Sequence, residues 1–274
     1  MSENTEVTMG TWKNLPVLNV KNESAEAVIA LHGAHVLSYK PAGERDLLWI
    51  SEKSWAEAGQ PIRGGIPVCW PWFGSAGDPK HGVARLHDWT LKDTVGESSS
   101  TKLIFEPFQW NDLTASVSVT VADKLVVELT TENRGKADFR LSEALHSYFA
   151  VSDIKKIEIS GLDRAEFIDT LNSTRHIQDG VVRISAETDR IYDHSPAECV
   201  ISDPAFAKKI HIRKEGSMST VVWNPWIVKS KQMPDFGDDE YTGMVCVETT
   251  NAAGDVRIIH PGEKHSLKTI LFLA

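Results

Sequence analysis

Ala115-Ser-Val-Ser-Val-Thr-Val121, then Ala122-Asp-Lys124, then Leu125-Val-Val-Glu-Leu-Thr130, carries the period that decides the fold. Val117, Val119 and Val121 alternate with Ser116, Ser118 and Thr120, so an extended chain turns its apolar side chains to one face and its hydroxyls to the other. Ala122-Asp-Lys124 is the turn, and Leu125 to Thr130 is the returning strand. The same two-residue period recurs outward from this hairpin. Lys156 to Ser160 places Ile157 and Ile159 on one face, and Lys209 to Arg213 does so with Ile210 and Ile212. Ser266 to Leu273 is a further strand. Asn133-Arg134-Gly135 and Lys214-Glu215-Gly216 are turn signals between such runs. One short helix is expected at Ser51 to Ala58, capped by Ser51 or Ser54. Many short strands, few helices and no strand–helix–strand alternation predict an all-β sandwich or barrel. No repeat or low-complexity linker divides the 274 residues, so residues 1–274 are expected to form a single domain.

Composition narrows the function classes. A chain of this length buries a core without staples. The net charge of −9 opposes binding to nucleic acid, where affinity rests on neutralising phosphates, and no basic run or heptad suggests a DNA-binding helix. A small phosphate needs only a local arginine cluster. No apolar stretch is long enough to span a bilayer. Met1-Ser-Glu-Asn-Thr-Glu6 lacks the basic and apolar regions of a signal peptide. A cytoplasmic protein is therefore expected, without membrane or nucleic-acid partners. Cys69, Cys199 and Cys246 lie far apart, without metal or redox spacing, and sit among apolar or β-forming neighbours. They are expected to be buried small hydrophobes, with no metal. The sequons at Asn22 and Asn172 are chance matches in a chain without a secretory signal.

Three segments break the alternation, Arg63 to Asp88, Glu143 to Phe149 and Val221 to Asn251, and function is expected where local rules are broken. Arg63-Gly-Gly-Ile-Pro-Val-Cys-Trp-Pro-Trp-Phe-Gly74 holds Pro67 and Pro71, which forbid a central strand. Trp70, Trp72 and Phe73 could wall a sugar's apolar face, although any single aromatic is more often core. In His81-Gly-Val-Ala-Arg85, the Arg fork matches a phosphate and the His adds a donor. From their chemistry alone, an ordinary surface arginine and a structural histidine is the favoured reading of these two. In Glu143-Ala-Leu-His-Ser-Tyr-Phe149, read as a strand, His146 shares a face with Ala144 and Tyr148. It is either a satisfied core histidine or a proton donor poised near neutrality. Within Val221 to Asn251, Met244, Cys246 and Glu248 share a strand face. A carboxylate ending an apolar run either emerges into solvent or is a buried base of raised pKa. No P-loop, GxSxG, HExxH or dinucleotide fingerprint occurs.

Taken in order, these segments resemble the aldose 1-epimerase superfamily and, within it, the hexose-6-phosphate mutarotase branch. The matching words are Leu31-His-Gly-Ala-His-Val36, Arg63-Gly-Gly-Ile-Pro-Val with Trp70-Pro-Trp-Phe-Gly74, and His81-Gly-Val-Ala-Arg85. They continue with Ala144-Leu-His-Ser-Tyr-Phe149, Thr188-Asp-Arg-Ile-Tyr192, Val222-Trp-Asn-Pro225 and Val245-Cys-Val-Glu248, and so cover nearly the whole chain. The resemblance implies an antiparallel β-supersandwich with its site on a concave sheet face. It implies His146 as general acid and Glu248 as general base. It places Arg63, His81 and Arg85 at a phosphate site and Asp189 on sugar hydroxyls, and leaves Lys229 and Lys231 without a role. The implied activity is interconversion of α and β anomers of a hexose 6-phosphate, glucose 6-phosphate first, by a monomer or weak homodimer. No electron or group moves between molecules, so no cofactor is expected. The alternatives are an aldose 1-epimerase of free hexoses, a non-catalytic carbohydrate-binding sandwich, and a glycoside hydrolase using Asp189 with Glu248.

Overall fold

A computed structural model describes residues 6–274; the reading of Met1 to Thr5 lies outside them. The deciding hairpin forms as strands Leu113–Val121 and Leu125–Asn133, antiparallel, with Val121 opposite Leu125. Val117, Val119, Val121, Leu125, Val127 and Leu129 are buried, while Ser116, Ser118 and Thr120 on the other face are half-buried. This pair sits inside a nine-stranded sheet. On one side follow Lys264–Leu273, Ile210–Glu215, Glu198–Ser202 and Glu158–Ser160. On the other lie Ser100–Phe105 and Leu91–Glu97, with Phe108–Trp110 pairing onto the hairpin.

An eight-stranded sheet packs over it. Its order is Thr174–Ile177, Glu166–Asp169, Thr188–Asp193, Ser219–Asn224, Met244–Asn251, Glu143–Leu145 and Val68–Cys69, with Tyr148–Ala150 also paired to Met244–Asn251. Contacts cross between the two layers. Trp70 donates its indole N–H to Thr131 Oγ1 at 2.9 Å, and Thr131 donates to Glu143 Oε2 at 2.9 Å. One hydrophobic cluster spans the gap, including Val119 and Leu129 from one sheet and Phe149, Val245 and Val247 from the other. A four-stranded meander from Glu6–Trp12 to His35–Pro41 flanks the layers. Met244–Asn251 is buried at every position. A strand covered on both faces loses the alternation that reveals a half-buried one. Among the described residues, no helix is long and apolar enough to cross a membrane.

Several local expectations change. Ser51 to Ala58 is a run of turns and bends rather than a helix. Its serines are spent on tethering, because Ser51 donates to Glu240 Oε2 and Ser54 Oγ accepts the Arg63 N–H at 2.8 Å. The α-helix is instead Trp226–Gln232, directly after Pro225, where Asn224 Oδ1 accepts the Trp226 N–H at 2.9 Å. The strand expected through Ala144–Phe149 breaks at His146 and Ser147. There the His146 N–H donates to Pro67 O at 3.0 Å and the Tyr148 N–H to Gly65 O at 2.9 Å. Val68–Cys69 is a two-residue edge strand, as its flanking prolines require. Asn22 is a buried anchor that donates to Thr101 Oγ1 and Val121 O.

Candidate active site

Strand register builds the site floor. Asp189 lies opposite Trp223, Trp223 opposite Cys246, and Cys246 opposite Tyr148. Directly opposed residues point to the same side of a sheet, so these four side chains share one face. Glu248, two residues beyond Cys246, shares it too. His146 stacks on Tyr148 with ring centroids 4.7 Å apart, and its Nε2 lies 3.3 Å from Glu248 Oε1. Glu248 is 1% exposed, so the strand does not emerge into solvent there. His146 Nδ1 and Glu248 Oε2 are buried without a partner among the described residues.

Burial pushes the Glu248 carboxyl well above its usual range, and Asp189 adds to the rise. Burial pulls His146 well below its usual value, and the neighbouring His81, Arg63 and Arg85 deepen the fall. Both shifts favour a neutral carboxylic acid beside a neutral imidazole.

The rim comes from the Gly- and Pro-rich segment. At Gly65, φ is +61°, and a Cβ would stand 2.2 Å from Val36 O. Only glycine lets the chain pass there and bring Arg63 over the floor. Arg63 donates Nη1–H to Tyr148 Oη at 3.0 Å and Nε–H to Asp235 Oδ2 at 3.1 Å; its Nη2 is 3.0 Å from the same oxygen. Burial lowers the pKa of the guanidinium, but Tyr148 and Asp235 outweigh it and raise it overall. Gly82 (φ +72°) passes so close to Trp70 that a Cβ would lie 2.0 Å from Trp70 O. That turn sets His81 edge-on to Phe73 and His146, at centroid distances of 5.0 and 5.6 Å. The Gly74 N–H donates to His81 Nδ1 at 3.3 Å, which leaves the imidazole proton on Nε2. Burial, then Arg85, pushes His81 down to about 3. Arg85 donates to Lys80 O at 2.7 Å, and its Nε is buried without a partner among the described residues. Burial lowers its pKa.

His146, Glu248, Asp189, Arg63, His81 and Arg85 therefore interact through contact or charge around one sheet face. Asp189 is half-buried, and burial raises its pKa while a hydrogen bond from Thr170 and, more weakly, Lys229 on the exposed helix pull it back. The aromatic-wall expectation is corrected at two positions. Trp70 is a buried inter-sheet side chain, and Trp72 packs on Trp110. Of the three aromatics, Phe73 packs against the rings of His81 and His146. Sequence reasoning missed Asp235, Tyr148 and Trp223. Tyr148 was visible as the residue two beyond His146, whereas Asp235 lies in a loop without periodicity. All three cysteines are buried, as expected. Cys246, however, also lies with His146 and Glu248, their ligand-type atoms all within 4.8 Å of one another.

The profile of the aldose 1-epimerase family matches residues 16–271. A relative from Escherichia coli named "Putative glucose-6-phosphate 1-epimerase" is 38% identical over 93% of this chain and 90% of its own. One of the same name from Cenchrus ciliaris is 31% identical over 87% of this chain and 78% of its own. The crystal structure of a Salmonella typhimurium protein titled a "putative mutarotase" superposes with a TM-score of 0.90 at 32% identity, covering 98% of this chain and 93% of that one. The chain is an enzyme of the aldose 1-epimerase family.

Proposed function

We propose that this enzyme interconverts the α and β anomers of hexose 6-phosphates, glucose 6-phosphate foremost, without a cofactor. The observation that carries the reading is the buried pair of His146 Nε2 and Glu248 Oε1, 3.3 Å apart beneath a rim holding two arginines. Anomers exchange through the open-chain aldehyde, so the C1 hydroxyl loses a proton while the ring oxygen gains one. Glu248 as carboxylate takes the first, and His146 as imidazolium gives the second. The neutral pair reaches that state by passing the Glu248 proton to His146, with no exchange with bulk water. The C1–O5 bond then opens, C1 turns about C1–C2, and the ring closes on the other face. Each acid–base group is worth ~10²–10⁴ in rate. Asp189 accepts sugar hydroxyls, His81 donates from its neutral Nε2–H, and Arg85 with Arg63 receives the phosphate. The relatives' names support the phosphorylated substrate.

The test is exchange NMR on equilibrated glucose 6-phosphate, with and without protein. Enhanced exchange between the two H1 signals, larger than for free glucose, is the expected result. Equal enhancement on free glucose would mean a free-hexose epimerase, and sugar binding without exchange would mean a carbohydrate-binding sandwich.

A further inference from the structure

Cys246 has no part in the acid–base chemistry, yet it stands on the site floor between Tyr148 and Trp223 in the register of its neighbours. Its Sγ, a His146 ring nitrogen and a Glu248 oxygen all lie within 4.8 Å of one another. No other group of three such residues forms among the described residues. We propose that Cys246, His146 and Glu248 form a binding site for a thiophilic divalent cation of the Zn2+ type, and that the ion excludes the sugar. The binding half stands on the geometry alone; the exclusion half rests on the epimerase reading of the same site.

The donor set is the reason. Thiolate, imidazole and carboxylate together select a borderline-soft ion over Mg2+ or Ca2+. Zinc ligands sit ~2.0–2.3 Å from the metal, so tetrahedral neighbours are ~3.3–3.8 Å apart. The His146–Glu248 contact is already 3.3 Å, and the remaining contraction is about 1 Å, within reach of small side-chain rotations. Two buried atoms of the trio, His146 Nδ1 and Glu248 Oε2, have no partner among the described residues. Three protein ligands leave a fourth position for water. On binding, the Cys246 thiol proton and the Glu248 proton pass to solvent, and lone pairs of Sγ, a ring nitrogen and a carboxylate oxygen enter the metal's coordination shell. Nothing is oxidised or reduced. The new thiolate and carboxylate match the ion's charge, and Asp189 adds a third negative group nearby. Arg63, offset in part by Asp235, and Arg85 are the opposing charges.

The test uses the full chain and direct binding, with no sugar present. Equilibrium dialysis against Zn2+ is paired with a Co2+ titration read by thiolate-to-cobalt charge-transfer absorption. One ion per chain and that absorption band are expected for the unaltered protein. Cys246→Ser should abolish the band and weaken binding at least ~10–100-fold, the loss that removing even an outer-shell partner causes. Glu248→Gln should weaken binding while the band survives at higher cobalt, a second reading if Cys246→Ser folds poorly. Added glucose 6-phosphate should displace the ion. Absence of a stoichiometric ion overturns the site. So does binding left unchanged by Cys246→Ser, which would put the ion on an exposed pair such as His260–Asp138. An ion bound through Cys246 in a protein that epimerises no sugar would sink the function and leave the site standing. Undiminished epimerisation in the ion-loaded protein would sink the exclusion.

Discussion

Glu143→Gln should change how the stability of this protein depends on pH, by an amount that follows from where the carboxyl sits. Glu143 is fully buried between the two large sheets. Its Oε2 accepts from Thr131, and its Oε1 has no hydrogen-bond partner, with His265 Nε2 3.7 Å away. Burial pushes its pKa up to about 8 against the resistance of the Thr131 hydrogen bond and the Arg257 charge. The ordinary value is 4.5. Between these two values the folded chain holds a proton that the unfolded chain releases. Stability from this group is therefore complete below the lower value, falls as pH rises through the window, and is gone above about 8. The slope approaches ~1.4 kcal/mol per pH unit, or about 5 kcal/mol across the window. Glutamine keeps the shape and an oxygen for Thr131 and cannot ionise. Urea unfolding of both proteins at pH 5, 6, 7 and 8 isolates the effect, because titrations not coupled to Glu143 cancel in the difference. The variant should gain steadily on the unaltered protein as pH rises. Parallel stability curves would refute the reasoning, since they would mean that Glu143 ionises in the fold at no cost.

Glu248→Gln and His146→Gln should each lower kcat by ~10²–10⁴, and the double variant should be little worse than either, because two groups exchanging one proton act as a unit. Fully multiplicative losses in steady-state anomerisation would separate them. Arg85→Ala should raise KM for glucose 6-phosphate about 10–100-fold, the scale of a hydrogen bond to a charged group, and should hardly change KM for free glucose; equal KM effects on both sugars would remove Arg85 from the phosphate. His81 is pushed down to about 3 and stays neutral through the working range, so His81→Gln should reduce the rate without moving the acid limb of the pH–rate profile. A displaced limb would assign that titration to His81. Residues 1–274 should unfold in one cooperative transition by both near- and far-ultraviolet circular dichroism, and two separated transitions would divide the chain.

What the sequence discloses depends on how many faces of a strand are covered. The hairpin from Leu113 to Asn133 is half-buried, its alternation is intact, and its register follows. Met244–Asn251 is covered on both sides, so alternation alone left Glu248 open between a buried base and an emerging end. The small helix escaped notice because seven residues are too few to show a period, and Ile227 and Val228 on it are exposed. Ser51 and Ser54 misled for a chemical reason. A hydroxyl that caps a helix equally well tethers a loop, and here Glu240 and the Arg63 backbone claim them. Asp235 could not be anticipated, because its pairing with Arg63 joins segments 172 residues apart.

Arg63 and Arg85 sit where their charges oppose a proton on His146, and under the proposed mechanism that placement would give a bound phosphate a second task. In the free protein, burial and the charges of Arg63 and Arg85 hold His146 neutral, while burial and Asp189 keep the proton on Glu248. Ring opening needs the reverse distribution. A phosphate dianion bound at the rim offsets the arginine field and so favours the imidazolium. Because the transfer leaves a positive charge on His146 and a negative one on Glu248 across a 3.3 Å contact, the phosphate biases it by the difference between its distances to the two groups, a fraction of the roughly 2 kcal/mol that one charge ~7 Å away exerts at an effective dielectric of ~20. A free hexose brings no such charge and meets the pair in its resting form. Part of the phosphate's interaction is then realised only as the proton moves, and interactions of that kind raise kcat rather than merely lowering KM. Selectivity for phosphorylated sugars would thus reside in the chemical step as well as in binding, through the same two arginines.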